Sequence, residues 1–254
     1  MKPARRIQCE QRGPEWIRLH VGTITASGVP AIMLPPTKRA STREGVSFPA
    51  GSEARERAEY RENKVLERLY GVAVENYVTP AMKHGIYYEP FACQLYEAME
   101  QEPLEEIGFA FHPEWDWLGC SPDRIVNGIG GLEAKCPTPK VHEQYFRDVS
   151  LLVADYRAQV LTGLAVFKEL DWWDLISFHP NAPIDHKIVK APRFHRSDWK
   201  NEIEEVEEAA AKMNKEIEDE LEQRGYPRDF WQRHYEIAGY EEADDERNRV
   251  DVRD

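Results

Sequence analysis

No segment of this chain approaches the ~20 consecutive apolar residues that a membrane-spanning helix needs, so no helical membrane span is expected. Cysteine is scarce. Cys9, Cys93, Cys120 and Cys136 are widely spaced and no two form a C-x-x-C pair, which argues against a zinc ribbon. Cys120 and Cys136 flank a predicted hairpin and read as small buried thiols in a reducing cytoplasm. The opening Met1-Lys2-Pro3-Ala4-Arg5-Arg6 is basic but runs into polar residues. It therefore lacks the apolar stretch of a secretory leader, and a cytoplasmic protein is expected. Internal repeats and low-complexity arrays are absent as well. What remains is a globular composition, 41% hydrophobic over 254 residues, long enough for one sizeable core.

An excess of positive charge is also missing, since the chain carries a net −13. Taken whole, that figure speaks against a nucleic-acid partner. Its distribution speaks less strongly. Residues 196–254 hold 10 Lys and Arg against 20 Asp and Glu, whereas residues 1–195 hold 23 against 26. The acidic excess belongs to the C-terminal segment, and the body can still present a basic channel.

Three regions are expected. In the first, Glu15 to His20 precedes a helix starting near Thr25-Ala26-Ser27. A loop follows that is rich in Pro, Thr and basic residues, with Arg39 and Arg43 placed to grip a phosphate backbone. Ser52 then reads as the N-cap of a charged helix reaching Leu69. The second region, about 79–192, predicts a helix over Met82–Met99, a strand over Glu106–Phe111, strands over Leu118–Val126 and Gly131–Cys136, and a short helix from Thr138 to Phe146. A helix over Tyr156–Leu170 and strands over Asp171–His179 and Lys187–Val189 complete it. This order predicts an α/β class, a central mixed sheet flanked by helices, in one domain over 1–195. The third region, 196–254, carries Trp199, Ile203, Val206, Ala210, Met213, Ile217 and Leu221 at helical spacing. That stripe predicts a long C-terminal helix packed on its own body or on a neighbouring subunit, and an acidic mobile tail over 241–246.

The chemistry concentrates in the second region. Asp123, a spacer of nine, then Glu133-Ala134-Lys135 is an arrangement suited to magnesium-dependent cleavage of a phosphodiester. Carboxylates hold hard divalent cations through oxygen. A nearby lysine can orient or deprotonate the attacking water, or offset charge on the phosphate. Asn127-Gly128-Ile129-Gly130-Gly131 is a turn-rich cluster that closes a hairpin and folds Asp123 back toward Glu133. Glu133 and Lys135, two apart on a strand, face one way, while Leu132 and Ala134 face a core. A lone Glu-x-Lys is usually a solvated strand face; here apolar neighbours surround it.

These residues resemble the phage lambda exonuclease (YqaJ-type viral recombinase) family of the PD-(D/E)xK nuclease superfamily. Besides the hairpin block of Leu118–Asp123 with Leu132–Pro137, the resemblance takes in Gly22–Ser27, Gly85–Pro90 and Tyr156–Val160, making four blocks in order. It implies a restriction-endonuclease-like core and a 5′→3′ exonuclease on double-stranded DNA, releasing 5′-mononucleotides and leaving 3′ single strands for an annealing protein. It also implies two Mg2+ ions, with Mn2+ as a substitute, and a homotrimeric ring around the DNA. By position, Asp123, Glu133, the Ala134 carbonyl and Glu89 would serve the metal. Lys135 would activate water, Gln159 would steady Lys135 or the nucleophile, and Ser27 and Ser121 would bind a 5′-phosphate. The family pattern has an arginine seven residues before the Ser27 position. This chain has His20 there and Arg18 two residues earlier, so His20 makes a weaker contact that is pH-sensitive near its ordinary pKa of ~6.5, Arg18 takes over, or the dependence on a 5′-phosphate is relaxed. For the ring, the sequence itself offers only the 199–221 stripe and exposed-looking aromatics such as Trp172 and Trp173, a type of residue that is in the core at least as often. Rival expectations are an endonuclease with the same site, a degenerate DNA-binding module, and an acidic interaction protein working through 196–254.

Overall fold

The computed structural model describes residues 2–43, 46–74, 79–228 and 230. Its first sheet has the order β1 (Arg5–Ile7), β6 (Phe109–Phe111), β7 (Leu118–Cys120), β2 (Ile24–Thr25). The second runs β11 (Ile188–Lys190), β10 (Trp172–Phe178), β9 (Gly130–Lys135), β8 (Arg124–Val126), β5 (Leu104–Glu105), and β12 (Phe194–His195) also pairs with β10. A separate hairpin joins β3 (Ser41–Arg43) and β4 (Val46–Phe48). Strands β9 and β10 are parallel, while β8–β9 and β10–β11 are antiparallel. The class is thus α/β with a mixed sheet, as the sequence predicts.

The single strand expected over 118–126 is two strands. Pro122 has no N–H to give a ladder, and the chain leaves the first sheet at Cys120 and enters the second at Arg124. Asp123 therefore sits where the two sheets meet. The β8–β9 connection is the predicted tight turn. Asn127 (φ 49°) and Gly128 (φ 71°) are both left-handed, and the Ile129 N–H donates to the Val126 carbonyl at 3.1 Å, the pattern of a type I′ turn. A Cβ on Gly128 would meet nothing within 4 Å, so a side chain there costs conformation and not space. Gly128→Val should lose ~1–2 kcal/mol, read as a lower urea midpoint with an unchanged slope.

Strand alternation sorts the second sheet into two faces. Leu132 and Ala134 of β9 and Trp172, Ile176 and Phe178 of β10 pack with Ala92, Cys93 and Tyr96 of α4 (Pro80–Glu100). Trp173 and Leu175 join the other core, with Val160, Leu161 and Leu164 of α6 (Val149–Val166). Helix α4 starts where Thr79 accepts from the Met82 N–H at 3.2 Å and Pro80 follows, a standard N-terminal pairing. Helix α6 starts seven residues before the predicted Tyr156, because Asp148 caps it by accepting from the Ser150 N–H at 3.0 Å. It is long and apolar enough to cross a membrane by composition, but its C-terminal half lies in the core.

Several other expectations are corrected. The helix expected from Thr25 is displaced by β2, and only a short helix, α2 (Val29–Ile32), follows. Ser52 caps nothing: its hydroxyl donates to Pro49, and α3 (Arg55–Tyr70) starts after Ala54. Cys120 and Cys136 are buried and free, as expected, and belong to different cores. Trp172 and Trp173 are buried, not exposed; a Cβ on Gly131 or on Gly163 would lie 2.3 or 2.7 Å from the Trp173 ring. The predicted C-terminal stripe is met: Ile203 to Leu221 lies on α7 (Lys200–Gln223), buried in the core that holds Trp173 and α6. Both sequence features offered for a ring are thus spent inside the chain. The acidic tail over 241–246 lies outside the described residues.

Candidate active site

Three of the predicted residues, Glu133, Lys135 and Gln159, share hydrogen bonds, and Asp123 is tied to the Ala134 backbone between two of them. Asp123 Oδ2 accepts from the Ala134 backbone N–H at 2.6 Å, tying the sheet junction to β9. Glu133 Oε1 accepts from Lys135 Nζ at 2.6 Å and from Gln159 Nε2 at 2.6 Å. Lys135 Nζ also donates to Gln159 Oε1 at 3.1 Å and lies 4.7 Å from the centre of the Tyr156 ring. The register explains the convergence: Glu133 and Lys135 point to the α6 face, where Gln159 and Tyr156 stand one turn apart.

The electrostatics follow from burial and like charge. Burial first, then the carboxylates of Glu133 and Glu89, push Asp123 well above the ordinary carboxylate range; Lys135 and the Ala134 N–H pull the other way. Burial alone would lower the Lys135 ammonium, but Glu133 and Asp123 outweigh it and raise its pKa. Acid oxygens this close, with one lysine among them, form a donor set short of positive charge. That donor set fits a hard divalent cation. Among the described residues no group of three His, Cys, Asp or Glu side chains stands ready to enclose an ion. Glu89, buried on α4, is instead bound by Arg12 Nη2 at 2.7 Å.

The proposed phosphate-binding residues divide into two sets. Ser121 Oγ donates to the Gly108 carbonyl at 2.6 Å and accepts from Trp16 Nε1 at 2.8 Å. Parallel pairing of Thr25 with Gly119 brings the exposed Ser27 to the same sheet end as Ser121, and Ser27 Oγ lies 3.2 Å from Thr25 Oγ1. His20 belongs to this neighbourhood through Trp16, with ring centres 3.6 Å apart, on α1 (Pro14–His20). Burial, with Lys64 nearby, takes its pKa down to about 4 despite the Trp16 carbonyl. His20 is therefore neutral at neutral pH, which corrects the expectation of a ring titrating near its ordinary value. Arg18 is exposed on the same helix. Arg39 is exposed in the loop before β3 and takes no part in the hydrogen bonds of the Asp123 cluster, and Arg43 ends that strand.

Sequence reasoning missed Gln11, Arg12 and Trp16. Gln11 Nε2 donates to the carbonyls of Ile107 at 3.0 Å and Pro122 at 2.9 Å. No local pattern marks such a residue, since its partners lie about 100 positions away.

Two sheets meeting at an acid, with a second acid and a lysine on the next strand, define a nuclease core of the restriction-endonuclease-like kind. The chain belongs to the YqaJ-like viral recombinase domain family, whose model matches residues 15–168. It is similar to an alkaline exonuclease from Laribacter hongkongensis, with 26% identity, 89% of this chain and 100% of that chain covered, and a TM-score of 0.70. The same enzyme in complex with dAMP matches with 26% identity, 84% and 98% coverage and a TM-score of 0.67. A phage-related exonuclease from Haemophilus somnus, 13% identical over 85% of this chain and 96% of that one, shares the fold with a TM-score of 0.55. No curated protein matches the chain.

Proposed function

We propose that this nuclease is a metal-dependent 5′→3′ exonuclease on double-stranded DNA. It releases 5′-mononucleotides and leaves 3′ single strands for an annealing protein. The observation that carries this proposal is the Glu133–Lys135–Gln159 hydrogen-bond network, with Asp123 held on the intervening Ala134 N–H at the sheet junction, in a chain of this family. The Laribacter relative held dAMP, a mononucleotide of the kind such an enzyme would release.

Asp123, Glu133 and the Ala134 carbonyl would hold Mg2+, or Mn2+ in its place, with Glu89 on the adjoining helix. Bound ions of this kind offset phosphate charge and favour ionisation of water. The rest falls to the chain. Beside cations the Lys135 ammonium would be disfavoured, and the neutral amine would then take a proton from the attacking water at Nζ, with Gln159 fixing that nitrogen and Glu133 together. Ser27 and Ser121 seat the terminal phosphate. Two-point positioning by Gln159 predicts a kcat effect: Gln159→Ala should lower kcat ~10²-fold with KM little changed, in single-turnover digestion of a labelled duplex.

The deciding experiment digests one linear duplex, with 5′-phosphate or 5′-hydroxyl ends, beside a covalently closed circle in Mg2+. Mononucleotides from 5′ ends and an intact circle are expected. A cut circle would replace the exonuclease by an endonuclease, and no cleavage at all would leave a binding module. The homotrimeric ring now rests on the family resemblance, and a mass measurement in solution tests it.

A further inference from the structure

We propose that Arg12 is a substrate-binding residue of this nuclease, a guanidinium stored on Glu89 that takes a backbone phosphate when a DNA end enters. This rests on the nuclease function proposed above. Among the described residues Glu89 is the one partner of Arg12, through Nη2 at 2.7 Å. Five N–H donors in a planar fork suit a phosphate, and Glu89 engages one Nη of that fork. The Arg12 side chain is 40% exposed against 12% for Glu89. The carboxylate is thus enclosed while the guanidinium sits at the mouth.

The backbone under Arg12 is specially held. Arg12 has φ 67°, uncommon for a long side chain and of the kind that gathers at functional sites. It stands between two anchors that end beside Asp123: Gln11 on the Pro122 carbonyl at 2.9 Å and Trp16 on Ser121 Oγ at 2.8 Å. The segment is therefore fixed against the centre while the Arg12 tip stays open.

Before any ion binds, the carboxyl groups of Asp123, Glu133 and Glu89 offer an approaching polyanion no cationic partner. Lys135 is engaged by Glu133. Lys64, which reaches the His20 carbonyl at 3.2 Å, is buried on Glu67 at 2.6 Å. His20 is neutral. Arg12 lies ahead of residues 15–168 that the family model matches.

The test is anisotropy of a 5′-phosphorylated duplex in EDTA, titrated over about 50–200 mM salt, with wild type, Arg12→Ala and Arg12→Lys. Arg12→Ala should bind ~10-fold more weakly and lose about one unit from the slope of log affinity on log salt. Arg12→Lys should keep the slope, and both variants should melt with wild type. Wild-type affinity and slope in Arg12→Ala, even with cleavage lost, would overturn the proposal and leave Arg12 as a prop for Glu89. A wild type that cuts duplex but binds none in EDTA would overturn it too. A wild type that neither binds nor cuts DNA would sink the nuclease function itself, a distinguishable result.

Discussion

Lys135→Ala is expected to cut the rate of DNA cleavage ~10³-fold, within the range for loss of a positioned acid or base. The expectation starts from geometry. Lys135 Nζ is fixed by Glu133 at 2.6 Å and Gln159 at 3.1 Å, so removing it leaves no mobile substitute. Lys135→Arg separates two ways in which lysine can act. In the resting chain the ammonium is favoured, because the carboxylates of Glu133 and Asp123 outweigh burial. If Lys135 only supplied charge, arginine would restore much of the rate. If it moves a proton, arginine, which stays protonated in proteins, should be as poor as alanine. The second result is expected. Single-turnover digestion in Mg2+, with duplex affinity measured in EDTA, checks it. Recovery by arginine would reassign Lys135 to charge stabilisation.

The parts of this site that were legible in the sequence are those set by local rules. Period-two alternation placed Glu133 and Lys135 together with Leu132 and Ala134 behind them, and Asn127-Gly128 announced the turn that returns the chain toward Asp123. Helical spacing gave α7 and its buried stripe. What failed lay where a long-range partner decides. Trp172 and Trp173 looked exposed because adjacent aromatics on a strand point to opposite faces, and nothing local says that both faces are covered. Here α4 covers one and α6 the other. The start of α6 was missed because Val149–Asp155 carries no clean apolar stripe, and a cap at Asp148 sets it instead. Thr25 looked like a helix start, but pairing with Gly119 drew it into a strand. The neutral state of His20 came from packing against Trp16 and Phe109, which composition does not encode.

Asp174→Ala should be the most damaging substitution outside the site, costing about 3–5 kcal/mol, as expected when one partner of a buried ion pair is removed. The Asp174 side chain is fully buried on β10. It accepts from Arg193 Nε and Nη2, both at 2.8 Å, from the Tyr96 hydroxyl at 2.6 Å and from Lys190 Nζ at 2.9 Å. Tyr96 is on α4, the helix that carries Glu89, so this one carboxylate clamps α4 to the sheet. Its loss leaves two cations sharing Glu100 and a buried hydroxyl without its acceptor. A melting point lower by roughly 6–20 °C follows for a chain of this size. The pH dependence has a definite sign. Burial alone would raise Asp174, but the hydrogen bonds from Arg193, Tyr96 and Lys190 outweigh it and hold its pKa below the ordinary value. A depressed folded pKa gives stability that is complete above the unfolded value of about 3.9 and is lost as pH falls through the folded one. Wild type should therefore lose stability below about pH 4 more steeply than Asp174→Asn, which has no carboxylate to protonate at this position. Parallel acid slopes in the two proteins would show that the clamp does not depend on the charge of Asp174.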